Sequence, residues 1–229
     1  MIATLDFALF RLGENNSPEV LVMKRTDKDK PFFGEYALVG GFIFEEEFFE
    51  GQKVDEDDQQ ATDRILLEKA GFIPCFIIPC GRKGSKDRDP RGWSMTFIHS
   101  CPVSQESTKH LDSEGNYKWV SVSDVTEGKF PLISDHAILT DIAWSQLKRT
   151  SSYTSAPLYM LPKDFTVKEV IAAYKTLGIS ITKAGVLTRF VETGIIDKTG
   201  EKVSGKGVGK PAQYYRISGT EPTYFSRAI

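Results

Sequence analysis

One stretch of this 229-residue chain whose residue types and spacing could do chemistry is Arg64-Ile-Leu-Leu-Glu-Lys-Ala-Gly-Phe. On a helix, Arg64 and Glu68 are four residues apart and share a face, so they can pair. Lys69 follows at once; it would repel a divalent ion and could itself sit near a phosphate. Upstream, Gly40-Gly41 lets backbone approach a ligand closely, because no Cβ intervenes. A second concentration lies near the far end, Glu201-Lys-Val-Ser-Gly-Lys-Gly-Val-Gly-Lys-Pro. Glycines with Lys202, Lys206 and Lys210 suit a hairpin that tracks a phosphate backbone; the plainer alternative is an exposed loop. Cys75, Cys80 and Cys101 show no C-x-x-C spacing, and His99, His110 and His136 form no H-E-x-x-H. Neither a zinc ribbon nor a zinc hydrolase is supported.

These residues need a frame. Apolar alternation predicts strands over 2–12, 19–25, 36–44, 72–80, 93–101 and 117–122. Helical spacing predicts helices over 59–70, closed by Gly71, and over 134–149. The Ser/Thr-rich run from Thr150 reads as a linker, 150–160. Beyond it the pattern changes. Thr166 with Glu169 forms a capping box ahead of Val170, Ile171 and Tyr174, and that helix should end near Gly178. A second helix is expected over 182–192, then a hairpin that returns through Gln213-Tyr-Tyr-Arg-Ile. Helix, short turn, helix and basic hairpin is the order of a winged helix-turn-helix. The expected organisation is a mixed α+β unit over 1–149 and a winged helix over 161–229.

Composition agrees with two soluble units. Hydrophobic residues make up 40% and charged residues 26% of the chain, which argues against disorder as the main state. No apolar run reaches membrane-helix length. The start, with Asp6 and no basic n-region, reads as a strand and not a secretory signal. Few, unpatterned cysteines fit reduced thiols in a cytoplasmic protein. The net charge of −2 conceals a split. Residues 151–229 carry 11 basic against 6 acidic side chains, and residues 1–150 carry 18 against 25. The later portion is therefore the one suited to polyanions.

Arg64, Leu66, Glu68, Gly71 and Phe72 match the closing pattern of the Nudix box, R-E-U-x-E-E-x-G-U, and Glu56 matches its upstream glutamate. Tyr36-Ala-Leu-Val-Gly-Gly resembles the strand that precedes the box, with an acidic and aromatic stretch, 44–53, inserted after it. Ser134-Asp-His-Ala-Ile-Leu resembles a D-H-x-x-I-L helix start, and Gly207-Val-Gly-Lys-Pro-Ala-Gln-Tyr-Tyr-Arg resembles a G-x-G-R-P-A-x-x-Y-R wing, with Lys210 in place of the usual arginine. In this order the motifs resemble the Nudix-related transcriptional regulators of NAD metabolism, the NrtR-like group, along nearly the whole chain. The resemblance implies a Nudix-like α/β/α sandwich followed by a winged helix, a homodimer on a palindromic operator in double-stranded DNA, and ADP-ribose or a related nucleotide as effector, with ligand weakening DNA binding. No cofactor is implied beyond that effector.

The departures from the pattern carry as much information. Nudix hydrolases hold Mg²⁺ with three carboxylates on one helix face; here those positions are Ile65, Glu68 and Lys69. One carboxylate is a poor magnesium site, so no catalytic residue and no metal ligand is assigned and the chain is read as a non-enzyme. The expected ligand residues are Arg25, Gly40, Gly41, Phe42, Glu56, Arg64 and Glu68: the resemblance places the cations Arg25 and Arg64 near the pocket, Gly40 and Gly41 allow backbone to approach the ligand, and Glu56 and Glu68 could accept ribose hydroxyls, while Phe42, Trp93 and Phe97 rank lower as candidates to stack an adenine. For Arg64 a structural pair with Glu68 is an equal alternative. His136 is expected to order a helix N-terminus. Ser180, Thr182, Lys183, Thr188 and Arg189 are the polar candidates for DNA on the second helix, Arg189 for guanine and Lys183 for phosphate, joined by Lys202, Lys206 and Lys210 in the wing. The rival readings are an active Nudix hydrolase of ADP-ribose-like substrates with an accessory domain, and an RNA-binding Nudix protein.

Overall fold

The computed structural model describes residues 1–44, 55–113, 115–202 and 212–229. Its centre is a seven-stranded sheet. Strand β1 (Ile2–Leu12) lies in the middle, flanked by β2 (Pro18–Lys24) and, in parallel, by β6 (Gly92–Pro102). Beyond them are β3 (Tyr36–Ala37), β5 (Ile78–Asp89) and β7 (Tyr117–Ser121), and β4 (Val39–Phe42) pairs with β1 from Thr4↔Phe42 to Phe7↔Val39. The run Leu5–Leu12 is almost continuously apolar because both faces of β1 are covered. Ala8, Phe10 and Leu12 point into one core, whereas Leu5, Phe7 and Leu9 point into the other. Helix α1 (Asp58–Ala70) covers the second face with Ala61, Ile65, Leu66 and Ala70. After the short α2 (Val122–Thr126), helix α3 (His136–Ser151) covers the first face with Leu139, Ala143 and Leu147. The layers are thus helix, sheet and helix, as the resemblance implies.

Three expectations shift. The strand expected over 72–80 starts only at Ile78, because Pro74 and the turn after Gly71 deny residues 72–77 a ladder. From there it runs on to Asp89 through Gly-Arg-Lys-Gly-Ser-Lys-Asp-Arg-Asp, a polar arm whose partner β6 supplies the backbone pairing. The strand over 36–44 divides into β3 and β4. Helix α3 also starts two residues later than expected, after Ser134 at φ 45°.

The segment 150–160 contains the end of α3 and a 3₁₀ turn, Ala156–Met160, in which Ala156, Pro157, Leu158 and Met160 are buried. The last part of the chain follows. Strand β8 (Phe165–Thr166) leads into α4 (Val167–Thr176), whose capping box joins Thr166 and Glu169 as expected. Next come α5 (Lys183–Val186), capped by Thr182 and continued by a π turn over Leu187–Val191, then β9 (Ile196–Lys202) and β10 (Gln213–Ile217). β10 lies between β8 and β9 in a three-stranded antiparallel wing. Tyr174, Phe190, Ile196 and Tyr215 belong to the same core as Phe10 and Trp144, so the last helices are not isolated from the sheet. Among the described residues no helix is long and apolar enough to cross a membrane.

Candidate functional site

A cleft of about 650 Å³ opens where β1, β3, β4, α1, the end of β5 and the start of α3 meet, within the size range of small-molecule pockets. Of the seven residues expected at a nucleotide, six line it: Arg25, Gly40, Gly41, Phe42, Arg64 and Glu68. Glu56 stands behind the wall. It accepts Arg64 Nε at 2.5 Å and Nη2 at 2.8 Å, and also the Phe44 N–H at 3.2 Å. The Arg64 bonds hold the Glu56 carboxyl below its usual range and raise the guanidinium in return. Arg64 also donates to the Phe42 carbonyl at 2.8 Å, lies 3.7 Å over the Phe44 ring, and reaches Glu68 at 3.6 Å. The expected Arg64–Glu68 contact is therefore the weaker of two, the shorter one going to Glu56. Trp93 and Phe97 lie outside the cleft on the exposed side of β6, because their parity along the strand is opposite to that of Ser94, which lines it.

The glycine pair has a spatial cause. A Cβ on Gly40 would overlap the Asp6 carboxylate and come within 2.7 Å of the Leu5 carbonyl. A Cβ on Gly41 would meet Ile65 at 3.0 Å and Lys69 Nζ at 3.5 Å. The three positions on α1 separate cleanly. Ile65 is fully buried in the core, Glu68 is exposed, and the Lys69 ammonium turns into the cleft and donates to the Gly40 carbonyl. Burial first, and the Arg25 charge second, push the Lys69 pKa down. Among the described residues no three His, Cys, Asp or Glu side chains gather where they could hold a metal ion.

Several wall residues and their partners lie outside the seven expected at the nucleotide. Arg88 is buried and donates through Nε to both oxygens of Asp135, at 3.1 and 2.9 Å, while its Nη2 lies 3.5 Å from Asp6. Asp6 also accepts the Thr96 hydroxyl at 2.7 Å. Ser134 donates its hydroxyl to the Arg88 carbonyl at 2.9 Å. Arg91 pairs with Asp89 at 2.5 Å and lies 4.7 Å over the Phe42 ring. Arg88, Asp89 and Arg91 sit at the tip of a polar arm, where a charged run reads as solvated surface; the fold carries them into the cleft. His136 does order the start of α3, through the Leu38 N–H, which its Nδ1 accepts at 3.1 Å. That bond requires a neutral ring, and burial lowers the imidazole pKa in the same sense.

The DNA candidates fall into three groups. Ser180, Thr182, Lys183 and Thr188 are exposed around α5, and Thr182 Oγ1 accepts the Gly185 N–H at 3.1 Å. Arg189 is half-buried and turned back. It donates to the carbonyls of Arg227 at 2.6 Å and Ala228 at 3.1 Å, and lies over the Phe225 ring. Lys202 ends β9, paired opposite Gln213; Lys206 and Lys210 lie outside the described residues.

No known family profile matches the chain. Over 223 residues it is 28% identical to the "ADPR responsive transcriptional repressor NtrR" of Acinetobacter baylyi, covering 95% of this chain and 82% of that protein. The crystal structure of Shewanella oneidensis NrtR complexed with a 27mer DNA is similar over 99% of both chains, at 29% identity and a TM-score of 0.81. A MutT/nudix family protein from Enterococcus faecalis, 20% identical, shares the fold over 95% of this chain and 88% of its own, with a TM-score of 0.66.

Proposed function

From a chain that matches NrtR closely in sequence and in structure along its whole length, we infer that this protein is a transcriptional repressor that binds operator DNA through its C-terminal winged helix and ADP-ribose in its Nudix cleft. The single observation that carries the effector half is the cleft itself. It has nucleotide dimensions, two glycines without side-chain clearance, and a wall of arginines. In this reading residues 1–149 sense, 161–229 read DNA, and 150–160 join them, in the cytoplasm. A homodimer on a palindrome follows from the way paired recognition helices meet paired half-sites. Ser180, Thr182, Lys183 and Thr188, with Lys202, Lys206 and Lys210 of the wing, form the reading surface; Arg189 joins it if it releases its carbonyl partners.

The Nudix fold also implies a divalent metal, and the residues on α1 do not fit one. Ile65 is apolar and buried, Glu68 is a lone exposed carboxylate, and Lys69 brings a positive charge to the third position. That donor set favours a sensor over an active hydrolase.

Communication has a physical route. The start of α3 lines the cleft through Ser134 and His136, and Asp135 holds Arg88. Sixteen residues later, about 24 Å along the axis, the far end of the helix meets the last segment. Ile229 N–H donates to Ser152 O and Phe225 N–H to Tyr153 O, both at 2.7 Å, and the Tyr174 hydroxyl donates to Thr154 O at 2.9 Å. A ligand filling the cleft presses on this wall and shifts α3, and with it the helices of the C-terminal unit. A coupling of about 1–3 kcal/mol makes a usable switch.

The test is a selection of duplexes from a randomised DNA pool by the full chain, followed by gel-shift titration of the enriched duplex with ADP-ribose. Release of the duplex is expected. A complex indifferent to ADP-ribose overturns the effector assignment, and failure to enrich any duplex overturns the reader assignment. Rapid magnesium-dependent release of AMP from ADP-ribose would restore the hydrolase reading.

A further inference from the structure

Six cations line the cleft, and they are not equivalent. Arg64 is neutralised by Glu56, Arg88 by Asp135 and Asp6, Arg91 by Asp89, and Lys30 by Asp27 at 3.1 Å. Arg25 and Lys69 differ. Arg25 donates to the Pro31 carbonyl at 2.9 Å and Lys69 to the Gly40 carbonyl, and among the described residues neither is ion-paired with a carboxylate. A carbonyl orients a cation without cancelling its charge. The two sit close enough for the Arg25 charge to act on Lys69, and burial lowers the pKa of both. Carboxylates act on them only at longer range, Asp89, Asp27 and Asp6 on Arg25 and Asp6 and Glu68 on Lys69, and holding two cations together in a partly desolvated wall without a bonded carboxylate is unfavourable for the free protein. That cost is recovered when an anion of matching charge enters.

We propose that Lys69, with Arg25, forms the diphosphate subsite of this cleft, and that the Lys69 ammonium supplies there the positive charge a divalent cation would otherwise supply. The inference rests on the nucleotide-binding reading above and makes it more specific. The ligand class is a nucleoside diphosphate, free or sugar-linked, bound without metal. The geometry is consistent at three points. Lys69 is carried on α1, whose side chains reach the cleft beside Gly40 and Gly41. Its Nζ is held at the Gly40 carbonyl, on the rim the glycines keep open. A Cβ on Gly41 would stand 3.5 Å from that nitrogen, in ordinary contact, so Gly41 borders it.

The experiment is calorimetric titration of the full chain with adenosine, AMP, ADP and ADP-ribose, in EDTA and in magnesium. ADP and ADP-ribose are expected to bind in EDTA at least tenfold more tightly than AMP, with magnesium making little difference. Lys69→Gln should weaken ADP-ribose about ten- to hundredfold, the value of a charge-assisted hydrogen bond, and should erase the preference of ADP over AMP while leaving adenosine unchanged. Lys69→Glu should bind ADP-ribose only when magnesium is supplied. A wild-type protein that binds ADP-ribose but needs magnesium, or that binds AMP as tightly as ADP in EDTA, overturns the inference and leaves the effector reading standing. So does an undiminished Lys69→Gln. A wild-type chain that binds none of the four overturns both. The wild-type comparison of ADP with AMP decides the matter even if the variants do not fold.

Discussion

The cleft and the C-terminal helices handle polar groups in opposite ways. In the cleft most cations are interlocked with carboxylates. Arg88 bridges two carboxylates at 7% side-chain exposure, and Arg64 is fixed by Glu56, a carbonyl and an aromatic ring. Around α5 the polar residues face solvent, and stability rests on the apolar side chains beneath them, Tyr174, Val186 and Phe190. A site that must hold a small anion in one pose needs preorganised charge. A surface that must slide along and release a polymer needs charge that is mobile and cheap to change. Substitutions of the same chemical type should therefore cost very different amounts in the two places.

The largest contrast is expected at Arg88. Arg88→Met leaves Asp6 and Asp135 buried without their cation and should cost about 3–5 kcal/mol, read from urea unfolding of the full chain. Lys183→Ala in the same assay should stay within about 0.5 kcal/mol; equal losses at the two positions would dissolve the distinction. Next in size is acid sensitivity. The folded state keeps His136 and His99 neutral by burial, with their pKa values below the ordinary 6.5. The unfolded chain takes up those protons first as pH falls. Stability is then fully present above pH 6.5 and declines below it, by at most about 1.4 kcal/mol per pH unit for each group. Asp6, Asp135, Arg88 and Arg25 act on His136 and set how steeply. His136→Asn, whose Oδ1 can still accept the Leu38 N–H, should flatten that slope in thermal melts between pH 7 and 5. Thr182→Ala should cost about 1 kcal/mol by removing the cap of α5. The smallest effect belongs to Lys183 again. Its replacement by alanine should leave sequence preference intact and reduce the salt dependence of DNA binding by about one phosphate contact in the log–log slope.

The parts readable in advance share one property: they depend on neighbours in the chain. The capping box of Thr166 and Glu169, the closure of α1 at Gly71 and the two-sided burial of β1 all follow from spacing. So do Arg64 and Lys69 on α1 and the glycines opposite them. The failures share another property. The strand placed over 72–80 followed the apolar run, whereas the pairing went to a polar arm whose hydrogen bonds come from β6 and not from its own side chains. Arg88, Asp89 and Arg91 on that arm resemble any exposed charged turn until the sheet folds them against Asp6 and Asp135.

Local pattern thus settled most of the helices and strands, the glycine pair Gly40-Gly41, and that α1 carries Ile65, Glu68 and Lys69. Partnership across distance was left to folding. Which glutamate claims Arg64, that Arg189 turns back to the carbonyls of Arg227 and Ala228, and that Arg25 and Lys69 are met by carbonyl oxygens where their neighbours meet carboxylates are all consequences of three-dimensional proximity. The reason is the range of the interactions. Helix caps and strand alternation act over two to four residues, whereas a buried charge is matched by whichever opposite charge the packed core brings within a few ångströms of it.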